Sequence, residues 1–527
     1  MPAILPVSRC LLPPSHKKLS PFLASASIFA YKIAMFRSLA SSLITLIAIL
    51  LFAFMLLFLW NGSEGIKFTR VAFEGDKSTE SVLEEYRRAN MAATEVAMDD
   101  DDKNEPAAVV QNSGDGPAVV VWINISAFRG DYLEKSETPF FDKLKTDGGE
   151  TNKMRPSFPC LTFPAHATMA TGVTPDKHGI VADRIRVGAG EIVDKPADGA
   201  LLLAEPIWTT ATRQGIRTLV HDWPLSQKQS GDNKAAYFLE SYDPESTDEA
   251  RLNKALEQWR ASAGGAAAPA DGAAAPAASA GGDKLRLIML RLEDIARQGL
   301  LHGPRADETF AAVTATDKSL QTFFDTVKAE WTTLAPPNAN LVIFITTDHG
   351  LAELDKNVNI AHLLGDEMMK NADIVAHDAI ANQFFKDLPE NEGEKKIFTD
   401  RFDNELSKRI YFRTLKKDDL PAEWSYLNAE RTGDRVLVLK TGYSFADQKA
   451  EEPLFDPGDG PGFFGGFGYP VEESIRMSGQ VFLAGYPNSP LSGTLDEVGQ
   501  LAFHATVCKM LGIEPATGAV TDTLPVK

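Results

Sequence analysis

The chain has 527 residues, 44% of them hydrophobic and 24% charged, with a formal net charge of −19. That length allows one large domain or two ordinary ones, with enough apolar residues for a sizeable core. The acidic balance excludes a nucleic-acid polymer as partner, because such a protein presents a basic face. Three cysteines are too few for a disulfide framework, and none forms a Cys-x-x-Cys zinc pair. Cys160 and Cys508 share the distal part of the chain, where two buried free thiols are expected rather than a bridge.

Residues 1–38 read as a cytoplasmic or targeting segment. Leu39–Trp60 follows, 22 residues without a charge. At a 1.5 Å rise per residue it spans a hydrocarbon core of roughly 30 Å, and Trp60 stands where an interfacial aromatic belongs. Arg9, Lys17, Lys18, Lys32 and Arg37 precede it, and no acid appears before Glu64. The positive-inside rule places the N-terminus in the cytoplasm and the large distal part in a luminal or extracellular space. A cleaved signal peptide fits less well, since "FLWNGSEG" offers no clean small-residue cleavage site. A mitochondrial transit peptide, with the distal part at the inner membrane, is the competing reading of this acid-free stretch. Met35 is an alternative start.

Residues 61–116 are polar and charged and read as a stalk, with acidic Asp99–Asp102 as a solvated run. From 117 to 520 the texture changes. "AVVVWINI" (Ala118–Ile125), "LRLIMLRL" (Leu285–Leu292), "NLVIFITT" (Asn340–Thr347) and, more weakly, "GQVFLAGY" (Gly479–Tyr486) are buried-strand patterns. Helical stretches such as Asp307–Trp331 alternate with them. This alternation predicts an α/β domain with a mostly parallel sheet flanked by helices. Ligands then sit at the carboxyl ends of the strands, where Ser126, Thr162 and Asp348 fall. Residues 261–282 are low-complexity Ala/Gly/Pro and are expected to be a disordered insertion.

"AFRGDYLEKSETPFFDKL", "FPCLTFPAHATMATGVTPDKHGI", "EPIWTTATRQGIRTLVHDWPLS", "TTDHGLAEL", "GGFGYP" and "CKMLGIEPA" occur in that order. Together they resemble the nucleotide pyrophosphatase/phosphodiesterases of the alkaline phosphatase superfamily, over about Pro117–Pro515. The resemblance implies an alkaline-phosphatase-like fold and two-metal phosphoryl transfer. Two zinc ions would flank a threonine that forms a covalent phosphoryl intermediate.

The resemblance also assigns positions. Thr162 takes the nucleophile's place, and Asp348 and His349 match a metal-binding Asp-His pair. Four of the six metal-ligand positions carry Ser126, Ala296, Leu300 and Phe467 instead. Ser126 and nearby Asn124 offer only neutral oxygens, and the other three offer none. Asp294 and His302 are eight residues apart rather than four and do not restore the spacing. Ala165 stands where the family has an asparagine that donates to a phosphate oxygen, and losing one such donor typically costs about a hundredfold in rate. His166 and His178 are expected to be structural, hydrogen-bonded groups. His221, His302 and His377 stand without motif support, and Asp131 and Asp183 lie in matching segments but are assigned no role.

The expectation is therefore a membrane-anchored, catalytically impaired relative that binds a protein partner or small ligand and has no resident cofactor. The alternative is an active phosphodiesterase acting on nucleotide or phospholipid-type diesters. It would use zinc or another divalent ion at Thr162, Asp348 and His349.

Overall fold

The computed structural model describes residues 114–188, 190–264, 284–446 and 452–527. The apolar segment Leu39–Trp60, nearly all of the stalk and most of the low-complexity insertion lie outside them. Among the described residues no helix is long and apolar enough to cross a membrane. The first residues of the expected insertion are helical, because they complete Asp248–Ala263.

The main sheet contains β1 (Ala118–Ile125), β2 (Gly149–Arg155), β3 (Thr218–His221), β4 (Tyr237–Phe238), β5 (Leu287–Leu292), β6 (Asn340–Thr346) and β7 (Gly479–Tyr486). Across the sheet the order is β2-β7-β6-β1-β5-β3-β4, with the short pairs Gly493–Thr494 and Val498–Gly499 against β2. β1 pairs in parallel with β5 and β6, and β3 in parallel with β4 and β5. The sheet is mostly parallel, as expected, and β7 is its antiparallel strand, running against both β6 and β2.

The helices that matter here are α1 (Pro139–Asp147), α2 (Thr162–Thr171), α3 (Asp248–Ala263), α4 (Asp294–His302), α5 (Asp307–Ala329) and α6 (Ala502–Leu511). β1 shows why the sheet needs helices on both sides. Val119, Val121, Ile123 and Ile125 enter one core with residues of α1, α3 and α5. Val120 and Trp122 enter a second core with residues of α2 and α6. Side chains alternate along a strand, so Asn124 belongs to the α2 side as well. A polar residue in that fully buried slot needs a partner, and it has one at the candidate site.

A second sheet was not visible in the sequence. Ala372–His377, Ile380–Phe385, Arg435–Leu439 and Phe412–Lys416 form an antiparallel sheet in that order. Helix Glu392–Ser407 contributes Phe402 and Leu406 to its core. The same core includes Phe158, Cys160 and Leu161, which lead into α2, and Phe467. Cys160 and Cys508 are both buried and free, as expected.

Candidate active site

Thr162 is the first residue of α2. Leu161 before it is extended, with φ −118° and ψ 155°, so the chain turns sharply into the helix. Beneath Thr162 lies a hydrogen-bond relay that runs in one direction. Trp122 Nε1 donates to Thr346 Oγ1 at 2.9 Å, and that hydroxyl donates to Asn124 Oδ1 at 3.3 Å. Asn124 Nδ2 donates to His166 Nε2 at 3.0 Å, and His166 Nδ1 donates to the Thr162 carbonyl at 2.7 Å. A carbonyl can only accept, so the His166 proton is assigned to Nδ1. Burial pushes the His166 pKa down to about 3, opposed by Asp348 and assisted by Arg291. His178 is likewise satisfied, by Thr168 Oγ1 at 3.0 Å and the Ile180 amide at 3.1 Å. Both imidazoles are structural groups in this sense. Asn124 is fully buried in the relay, as its place in a buried strand implied.

Above the relay, Asp348 and His349 converge on Thr162. His349 Nδ1 donates to the Gly350 carbonyl at 2.7 Å, which leaves Nε2 as an acceptor. Thr162 Oγ1 lies 3.2 Å from that Nε2 and donates to it. Asp348 Oδ1 accepts from the amides of Ala127 and His349 at 2.9 and 2.8 Å. Its Oδ2 is buried without a hydrogen bond, 3.7 Å from His349 Nε2. Burial opposes the Asp348 charge, but the two imidazoles and Arg291 hold its pKa below the usual carboxylate range. Arg291 is the standing cation among them, since His166 is neutral. The bend that presents this pair depends on Gly350, whose missing Cβ would collide with the Arg476 carbonyl. Gly350→Ala should destabilise the fold by about 1–3 kcal/mol, read as a lower urea midpoint at unchanged slope.

The chain matches the family model for type I phosphodiesterase / nucleotide pyrophosphatase over residues 120–465. It belongs to that family. Among its relatives is an uncharacterized pyrophosphatase/phosphodiesterase of Schizosaccharomyces pombe, 23% identical over 64% of this chain and 66% of the relative. Ectonucleotide pyrophosphatase/phosphodiesterase family member 1 of Mus musculus is 24% identical over 75% of this chain and 40% of its own length. The chain thus spans between two fifths and two thirds of the length of these curated relatives. Murine ectonucleotide pyrophosphatase/phosphodiesterase 5, in an inactive form in complex with AMP, has the same fold. Its TM-score is 0.60 at 21% identity, covering 76% of this chain and 96% of that one.

Phosphodiesterases of this family imply two metal ions, and the residues here can be tested against that set. Zinc takes about four nitrogen, oxygen or sulfur ligands at about 2.0–2.2 Å. The position that needs Ala296, Leu300 and Phe467 as ligands does not fit. Ala296 and Leu300 lie one turn apart on α4 and pack against the core that contains Leu351 and Phe467. Phe467 stacks on the His349 imidazole, with ring centroids 4.4 Å apart and planes 14° from parallel. None of these side chains carries a lone pair that zinc accepts.

The other position keeps Thr162, Asp348 and His349, and the orphaned Asp348 oxygen suits a cation. Its fourth corner is changed. Ser126 Oγ accepts from Arg291 Nε at 3.0 Å, so a guanidinium is fixed where the family has a carboxylate. Arg291 pairs in turn with Glu293, which accepts from Arg251 at 3.1 Å and from Tyr242. Arg251 is fully buried and donates to Asp222 Oδ2 at 2.7 Å. This charged network has taken over the carboxyl ends of β3 and β5.

Ala165 is fully buried in α2, and its amide is spent on the Leu161 carbonyl. The polar group that does reach the start of α2 is Asp183, whose Oδ1 accepts from the Phe163 amide at 2.7 Å. Asp183 also joins His377 and Asp378 in one group of side chains. Sequence reasoning gave these three no role. The segments are far apart in the chain, and no motif links them.

Proposed function

We propose that this chain is a membrane-anchored member of the type I phosphodiesterase family that has lost most of its hydrolytic capacity. It acts by binding a protein partner or a small ligand. The observation that carries this reading is the replacement of three metal-binding positions by Ala296, Leu300 and Phe467, with Phe467 stacked on the one imidazole that remains. A hydrolytic threonine needs a cation to lower its hydroxyl pKa and another to hold the leaving oxygen. Among the described residues the hydroxyl has His349 Nε2 as its hydrogen-bond partner.

Asp183 supports the same conclusion. A helix N-terminus favours an anion, and a carboxylate of the protein already takes the Phe163 amide. An incoming phosphoryl group would have to displace it. The membrane anchor rests on Leu39–Trp60 and its basic flank, which put the folded part across the membrane from the N-terminus. AMP, the ligand in the structure of the murine relative, is the first small ligand to test.

One observation favours a second reading. Asp348 Oδ2 is buried without a partner beside Thr162 and His349, which a single divalent ion would satisfy. Such an ion would acidify the threonine hydroxyl. The deciding experiment uses the purified full-length chain, a chromogenic phosphodiester and added zinc. Wild type and Thr162→Ala should release product at the same rate. A rate that disappears only in the Thr162→Ala chain would establish the active phosphodiesterase instead.

A further inference from the structure

We propose that Asp183, His377 and Asp378 form a binding site for one divalent transition-metal ion at the start of α2, a site distinct from Thr162, Asp348 and His349. One ligand atom from each of the three side chains lies within 4.8 Å of the other two. They come from separate parts of the fold. Asp183 precedes strand Arg184–Val187, and His377 ends a strand of the antiparallel sheet. Asp378 sits in the tight turn after His377 with φ +46°, in the left-handed region that aspartate enters more readily than most residues. That turn is fixed by the Phe445 amide, which donates to the Asp378 carbonyl at 2.7 Å.

His377 supplies an observation beyond the grouping of charges. Its Nδ1 is shielded from solvent and makes no well-directed hydrogen bond, although Asp378 Oδ2 lies 2.6 Å away. Against the opposing effect of burial, Asp378 and Asp183 raise the His377 pKa to about 9, so the carboxylates already hold a positive charge at this point, and a divalent ion would take its place by displacing the imidazole proton. Side-chain adjustment then brings the donors to about 2.0–2.2 Å from a common centre. Outer contacts are also in place, because Asp183 Oδ1 is oriented by the Phe163 amide. The His377 and Asp378 side chains are 24% and 16% exposed, which gives an entry path and room for water ligands.

The ligand set selects the ion. One imidazole and two carboxylates suit zinc or manganese, whereas calcium and magnesium take oxygen donors and copper(I) takes sulfur. An ion here would join the antiparallel sheet to the start of α2. The inference does not depend on whether Thr162 turns over a substrate.

The test is equilibrium dialysis of the full chain against zinc and, separately, manganese, with metal analysis and thermal melts. Wild type should retain one ion per chain and melt higher with metal than in chelator. Asp183→Asn and His377→Gln should weaken binding about tenfold or more. Asp378→Asn, at a partly exposed position like His377, is a further variant in case the buried Asp183→Asn folds poorly. His349→Asn should leave this binding unchanged. The inference is overturned if wild type retains neither metal. It is equally overturned if binding survives Asp378→Asn and His377→Gln but is lost in His349→Asn, which would place the ion beside Thr162.

Discussion

A chain carrying Ala296→Asp, Leu300→His and Phe467→His together is expected to bind an additional zinc ion that the parent chain does not hold. The three substitutions supply two imidazoles and a carboxylate. Positions 296 and 300 are one helical turn apart on α4, and position 467 faces His349. Micromolar or tighter binding corresponds to about 8 kcal/mol, which three good ligands and a water can provide. Without metal the variant should be less stable than the parent. It loses a stacked buried ring and gains an unpaired carboxylate among Leu351 and its neighbours. Zinc should therefore raise its melting temperature far more than that of the parent. Isothermal titration in an Asp183→Asn background separates this site from the one inferred above. A variant that takes up no additional zinc would mean that these positions never faced one centre.

The second large effect is expected at Arg251. Arg251→Met should cost about 3–5 kcal/mol of unfolding free energy, because it strands Asp222 in the interior and takes from Glu293 one of its two guanidinium partners. Arg251 is inaccessible to water and binds both carboxylates, as well as the Asp243 carbonyl at 3.1 Å. Asp222→Asn in the same chain should recover part of the loss, since the stranded charge is then gone. Chemical denaturation measures both values. A cost below about 1 kcal/mol would put the network in the class of solvated surface pairs. The consequence reaches the candidate site, because Glu293 also anchors Arg291 and Arg291 holds Ser126.

Much of this was legible in the sequence because apolar runs and ordered motifs are local signals. Ala118–Ile125 and Gly479–Tyr486 are strands with the expected bounds, and Thr162 opens a helix after an extended approach. The direction of β7 was not legible, since a buried run reads the same in parallel and antiparallel pairing. The antiparallel sheet was missed because Ala372–His377 and Ile380–Phe385 are short and bounded by no distinctive turn. Arg291 was hidden inside "LRLIMLRL". Only the register that sets it beside Asn124 shows that its charge points toward the α2 side. Asp183 and His377 meet across a long stretch of chain, a contact that no spacing rule contains.

The relay from Trp122 to the Thr162 carbonyl bears on how this threonine should be understood. Each member has one workable placement of its hydrogens, so replacing any of them leaves a neighbouring buried polar group unpaired or set against a like group. Such a foundation constrains its own residues through folding alone. Thr162 can keep its location for as long as the foundation stands, whatever chemistry happens or fails to happen above it. The relay thus fixes where residue 162 stands through its main-chain carbonyl and is indifferent to its side chain, so turnover has to be demonstrated on other grounds.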